Sequence, residues 1–179
     1  MLKNLFRTRS AERMGLPLYT AAVAQARDPG FYTALGVNDE IDARFELYTL
    51  HVLLLVLRLR DETGAEAERG SEAAQNLFDV YVSALDNALR ELGVNDVTMA
   101  KKMRRLGEAL YGRMTAYETA LRAGDAGALS DGLARNVYAT EDAGHANGLA
   151  AYALAARGLL GKQAIDTVLT APVWPEVKA

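Results

Sequence analysis

Apolar residues recur at three- and four-residue intervals along nearly the whole chain. No stretch shows the apolar–polar alternation, bounded by hairpin turns, that a half-buried strand requires. The pattern predicts an all-α fold, a single compact domain of about seven helices joined by short corners. A first helix is expected to carry Pro17 in its opening turn and to run to about Arg27, where Asp28-Pro29-Gly30 breaks it. A short helical piece should cover Phe31 to Leu35. The next helix, from about Asp39 to Asp61, is apolar on almost all sides in its second half and should therefore lie centrally. Glu62 to Ser71 reads as a charged linker.

From Glu72 to Leu92 the residues Phe78, Tyr81, Val82, Leu85, Leu89 and Leu92 make one apolar face, with Asp79, Ser83, Asp86 and Arg90 opposite. A helix from Thr98 to Ala123 carries the stripe Met99, Met103, Leu106, Leu110, Met114, Tyr117 and Leu121, and Gly124-Asp125 ends it. Asp125 to Thr140 and Ala146 to Leu160 are expected as Ala-rich helices, with a shorter one over Gln163 to Leu169. Ala171-Pro172-Val173-Trp174-Pro175 cannot be helical and should cap the domain. The pentapeptide Leu-Gly-Val-Asn-Asp stands at Leu35 to Asp39 and again at Leu92 to Asp96. At each corner the Gly can take a left-handed conformation past a helix end, the Val can fold back, and Asn or Asp can cap the next helix. Two similar corners explain this better than a repeat, because the flanking sequences differ.

Composition narrows the class. At 179 residues, with 50% hydrophobic and 24% charged positions, one globular domain is expected, residues 14–179, preceded by a basic segment over residues 1–13. That segment holds Lys3, Arg7, Arg9 and Arg13 against Glu12, so the net charge of −3 hides an acidic bulk. It leads into no apolar stretch of a secretory signal. The most hydrophobic run, Leu47 to Leu59, is interrupted by Thr49, His51 and Arg58 and is far short of the roughly 20 apolar residues of a membrane span. Absence of cysteine removes disulfides, Cys-ligated metals and thiol nucleophiles.

Catalytic chemistry finds no home in the remaining residues, and no enzyme activity, metal or cofactor is expected. Of the two histidines, His51 in its apolar helix reads most simply as a core residue and His145 stands among Gly and Ala. There is no His-x-x-x-His pair, no Gly-x-Ser-x-Gly elbow and no phosphate-binding loop. Glu66, Glu68 and Glu72 are bunched in the linker and solvate it. More telling is Lys101, Lys102, Arg104 and Arg105. If Thr98 caps their helix, these cations repel one another at i+3 and i+4 and face the positive helix end. They either make a solvated face or await an anion such as RNA, lipid headgroups or acidic client loops. Met99, Met103 and Met114 suit a surface that repacks, although core packing is the simpler reading. Gly107 and Gly112 should mark close approach of a neighbouring helix, internal or from a client.

The order of several blocks carries a resemblance. Asp86-Asn87-Ala88-Leu89-Arg90-Glu91-Leu92-Gly93-Val94-Asn95-Asp96, then Lys101-Lys102-Met103 and Tyr111-Gly112-Arg113, resembles the signature of the ubiquinol–cytochrome c chaperone family. Upstream, Val37-Asn38-Asp39 with Arg44-Phe45 and Leu50-His51-Val52 resembles its other characteristic block, and Leu149-Ala150-Ala151-Tyr152 with the Pro-aromatic tail extends the likeness from about residue 18 onward. Asn38 and Asn95 depart from the pattern, where Pro and Gly respectively would be expected.

The resemblance implies a bacterial-type, short assembly factor of respiratory complex III, all-α and non-catalytic. Its expected partner is newly made cytochrome b, with the ribosome, an anionic inner-membrane surface and a small partner subunit as further candidates, and no DNA. A cytoplasmic place at the inner membrane of a bacterium follows from the same likeness. It also implies partner contacts for Arg44, Phe45, His51, Asp86, Arg90, Tyr111 and Arg113 within the matching blocks, alongside Lys101, Lys102, Arg104 and Arg105. Two rival classes remain open at this point. One is a haem or small-molecule sensor. The other is a peripheral membrane scaffold resting on Leu2, Leu5 and Phe6 beside Lys3, Arg7 and Arg9.

Overall fold

A computed structural model describes residues 15–91 and 96–178, with backbone only for 96–103, 105 and 106. The basic segment at 1–13, the second pentapeptide corner at 92–95 and the side chains of Met99, Lys101, Lys102, Met103 and Arg105 lie outside the described residues. Among those described there is no strand. Helix α1 (residues 15–26) is followed by α2 (Gly30–Thr33), α3 (Ile41–Arg60), α4 (Ala67–Glu91), α5 (Asp96–Ala123), α6 (Ala126–Val137), α7 (Asn147–Gly161) and α8 (Ile165–Thr170).

α3 is the axis of the molecule, as its all-round hydrophobicity requires. From Leu50 to Leu59 every residue is buried, and the helix packs against α4, α5, α6 and α7. The one guanidinium in that stretch, Arg58, has three partners. Its Nε donates to the Leu160 carbonyl at 2.7 Å, one Nη to the Gln163 carbonyl at 2.6 Å, and the other Nη pairs with Glu62 at 2.6 Å. The buried charge is thus held by Glu62 and by two carbonyls at and just past the end of α7.

The first pentapeptide corner turns on Gly36, whose φ of 66° lies in the left-handed region. Val37 folds back to 3% exposure, and its N–H donates to the Phe31 carbonyl at 3.0 Å. Asn38 and Asp39 do not cap α3 as expected. Glu40 holds the cap position without a side-chain hydrogen bond, because the Asp39 carboxylate is taken by Arg44 Nε at 2.6 Å, a stronger donor than a backbone amide.

The expected linker over Glu62 to Ser71 is mostly structured. A 3₁₀ turn (Gly64–Glu66) leads into α4 at Ala67, five residues before the position expected from its apolar face. Gly70 makes that crossing possible, since a Cβ there would stand 2.3 Å from the Leu59 carbonyl oxygen of α3. α6 starts as expected, with Asp125 accepting the Ala128 N–H at 3.0 Å, but stops at Val137 rather than Thr140. The Tyr138 hydroxyl donates to the Leu35 carbonyl at 2.8 Å, and Ala139 breaks the helix at φ 51°. Past α8 the tail caps the domain. Gln163 exchanges two hydrogen bonds with the Val173 backbone, at 2.8 and 2.9 Å, which sets Trp174 edge-on to His51 at 5.2 Å between centroids.

Candidate functional site

Four tertiary contacts, two for each helix, fix how α4 and α5 stand on α3. Thr49 and Tyr81 share a hydrogen bond at 2.6 Å and Gly70 lies on Leu59, so α4 runs antiparallel to α3. Arg113 pairs with Glu46, and Arg122 with Asp61, both across to α3, so α5 runs parallel to it. α4 and α5 therefore face each other in opposite directions over the second half of α3.

Between them lies an open groove of about 610 Å³, floored by Leu53 and Val56. α4 lends Ala74, Phe78 and Val82 to one wall, and α5 lends Gly107, Leu110, Tyr111 and Met114 to the other. The spacing i, i+3, i+4 and i+7 puts those four on one helix face. Each wall runs twelve residues, Ser71 to Val82 and Gly107 to Glu118, which is about 16 Å or three helical turns. Arg60, Ser71, Gln75, Thr115 and Glu118 make one end polar, while the Val82–Gly107 end is apolar. Tyr111 is 76% exposed, unusual for a large aromatic residue facing a groove.

The expectation that an internal neighbouring helix explains Gly107 and Gly112 is not met. A Cβ at either would find nothing within 4 Å among the described residues. Each glycine costs roughly 1 kcal/mol relative to Ala in a helix interior. Gly107 keeps a groove wall low, and nothing in the structure explains Gly112.

Beside the groove, Glu46 is buried at 4% exposure with Oε1 2.6 Å from an Arg113 Nη and Oε2 without a hydrogen-bond partner among the described residues. Burial pushes its carboxyl up to about 7, against the pull of Arg113 and with a further push from Asp42. His51 is wholly buried. Its Nδ1–H donates to the Leu47 carbonyl at 2.7 Å, and Nε2 accepts from the Tyr152 hydroxyl at 3.0 Å. Burial holds it down at about 4, so the ring is neutral. With both nitrogens engaged and Phe31, Tyr152 and Trp174 around it, His51 is a core residue and presents nothing to a partner. His145 is exposed, with Nδ1 3.2 Å from Asp142. No group of His, Asp and Glu among the described residues is arranged to hold a metal ion.

The other residues expected to meet partners are scattered over the fold. Tyr111 lines the groove, and Arg113, two positions on, instead reaches Glu46. Asp86 and Arg90 pair at 2.8 Å on the exposed side of α4. Arg44 and the half-buried Phe45 lie at the start of α3, away from the groove. Arg104 is exposed and pairs with Glu108 at 3.1 Å. α5 begins at Asp96 rather than Thr98, so the run from Lys101 to Arg105 occupies its second and third turns, where the helix-dipole penalty has faded. Sequence reasoning missed Leu53, Val56, Phe78 and Val82 as groove residues and did not single out Glu46. A carboxylate on the same helical stripe as Leu50 and Leu53 was the available signal.

A comparison with curated proteins finds no match. Among solved structures the chain is similar to one described as the crystal structure of the Cbp3 homolog from Brucella abortus. The two share 34% sequence identity over 99% of this chain and 98% of that one, with a TM-score of 0.80. Residues 33–174 match the family described as ubiquinol-cytochrome C chaperone, a span that takes in α3, both groove walls and the tail as far as Trp174. The chain belongs to the ubiquinol–cytochrome c chaperone family.

Proposed function

We propose that this protein is a non-catalytic assembly factor of ubiquinol:cytochrome c oxidoreductase that holds newly made cytochrome b by seating one of its apolar helices between α4 and α5. The open groove, with Gly107 bare and Tyr111 exposed in a member of a chaperone family, carries this reading. Its length suits three turns of a helix, and its glycine and alanine let a foreign backbone come close. Burying each large apolar side chain of the client contributes about 1.5–3 kcal/mol, enough for a transient hold. At the apolar end α5 continues back into Lys101, Lys102, Arg104 and Arg105, which meet the anionic surroundings of the client at the inner membrane. No helix among the described residues is long and apolar enough to cross a membrane itself.

Deleting the gene is expected to lower assembled complex III and haem-loaded cytochrome b while other respiratory complexes stay near normal. The wild-type gene should restore both, and Tyr111→Glu, at an exposed position where folding tolerates charge, should restore them poorly. Normal cytochrome b and ubiquinol:cytochrome c activity in the deletion strain would contradict the assignment. Full rescue by Tyr111→Glu would remove the groove from it.

A further inference from the structure

We propose that the ion pair between Glu46 and Arg113 is a proton-sensitive prop that holds the α5 wall off α4, so that protonating Glu46 lets the groove close and discharges its occupant. This rests on the groove reading above and adds the regulation of that site. Arg113 stands between Leu110 and Met114, inside the stretch of α5 that lines the groove, and reaches across to α3 at 2.6 Å. Among the described side chains from Arg104 to Gly112 the one polar contact is Arg104 with Glu108, within α5 itself. Towards the start of α5, Arg113 is therefore the last polar tie to the body among the described residues. The other tie, Arg122 to Asp61, lies nine residues further on. An apolar groove open to water gains by closing, because Phe78, Met114 and the exposed Tyr111 would then bury one another. The ties hold α5 against that pull.

One proton undoes the first tie. The Glu46 carboxylate is buried with one oxygen on Arg113 and the other unpartnered among the described residues, so it has a single partner to set against its desolvation. The groups that face it are Arg113 and Tyr117 from α5, Tyr81 from α4 and Asp42 from its own helix. Burial raises both tyrosines above their ordinary range, so they stay neutral, and Asp42 pushes Glu46 further toward its neutral form. With its carboxyl at about 7, Glu46 is divided between the two forms near neutral pH. Once it is protonated, the Arg113 side chain, 31% exposed, can turn to water without leaving a buried charge behind. While it is charged, the same movement would strand a carboxylate in the core.

Fluorescence anisotropy of a labelled, end-blocked helical peptide of Leu, Ala and Gln against the full chain tests this, because such a peptide carries no group that changes charge. Its affinity should fall about tenfold from pH 8 to pH 6, the drop in the charged fraction of a carboxyl at about 7. Binding at pH 6 should release close to one proton, read on the wild-type chain by calorimetry in buffers of different ionisation heat. Glu46→Gln should bind with the weaker affinity at both pH values. Tyr111→Glu should weaken binding at pH 8, which places the peptide in the groove. Equal affinity of a groove-bound peptide at pH 6 and 8, no proton release, or a pH dependence retained in Glu46→Gln overturns the prop and leaves the groove reading standing. Absence of binding up to about 1 mM at pH 8, or binding that Tyr111→Glu leaves unchanged, removes the groove and the prop together.

Discussion

Glu46 and His51 lie five positions apart on α3, both desolvated, and respond to pH in opposite directions. Glu46 titrates above the ordinary carboxylate value, so the folded state binds its proton more tightly than the unfolded chain does. The stability this provides is present below about pH 4.5 and is lost as pH rises through 7, on the order of 3 kcal/mol. His51 titrates low, so its contribution is present above pH 6.5 and is lost as pH falls toward 4. Chemical denaturation between pH 4.5 and 8 should show Glu46→Gln gaining on the wild type as pH rises, because the neutral amide avoids the buried charge. A constant difference across that range would contradict it. The core place of His51 was legible from the apolar residues on either side. The hydrogen bond from Arg27 to Tyr48 was not legible, because the two stand 21 positions apart and only the fold brings them together.

Glycine shows what a helix-by-helix reading leaves open. Gly70 and Gly107 both interrupt good helical sequence, and intrinsic propensity gives Ala the advantage at each. In the fold they diverge. Gly70→Ala drives a Cβ into the Leu59 carbonyl and should cost about 1–3 kcal/mol despite the better propensity. Gly107→Ala meets nothing within 4 Å and should gain roughly 0.5–1 kcal/mol. Thermal melts of the two variants are expected to shift in opposite directions, and a loss of stability in both would mean that the α5 wall is closed in solution. Most helices could be placed from apolar spacing and from stops such as Asp28-Pro29-Gly30. The start of α4 could not, because Ala67 to Gly70 lacks an apolar stripe and is held by the close crossing with α3 instead.

For the whole molecule, the groove was hidden in the sequence for a definite reason. Phe78 and Val82 belong to the same stripe as the buried Tyr81, and Leu110 and Met114 to the same stripe as the buried Tyr117, so periodicity marks an apolar face without saying whether anything covers it. Only the open groove left between α4 and α5 on α3 separates lining from core. The family could be recognised from block order because those residues are contiguous in sequence, whereas the groove is assembled from three helices. The most direct measurement places a photo-activatable amino acid at Tyr111 in cells and, for comparison, at the exposed Asp131 on α6. Irradiation during synthesis of the respiratory chain is expected to capture newly made cytochrome b from position 111 and not from 131, with the captured fraction reduced by Gly107→Trp, which fills the groove. Equal capture from both positions, or none from 111 while assembly of complex III proceeds normally, would contradict the seating of the client between α4 and α5.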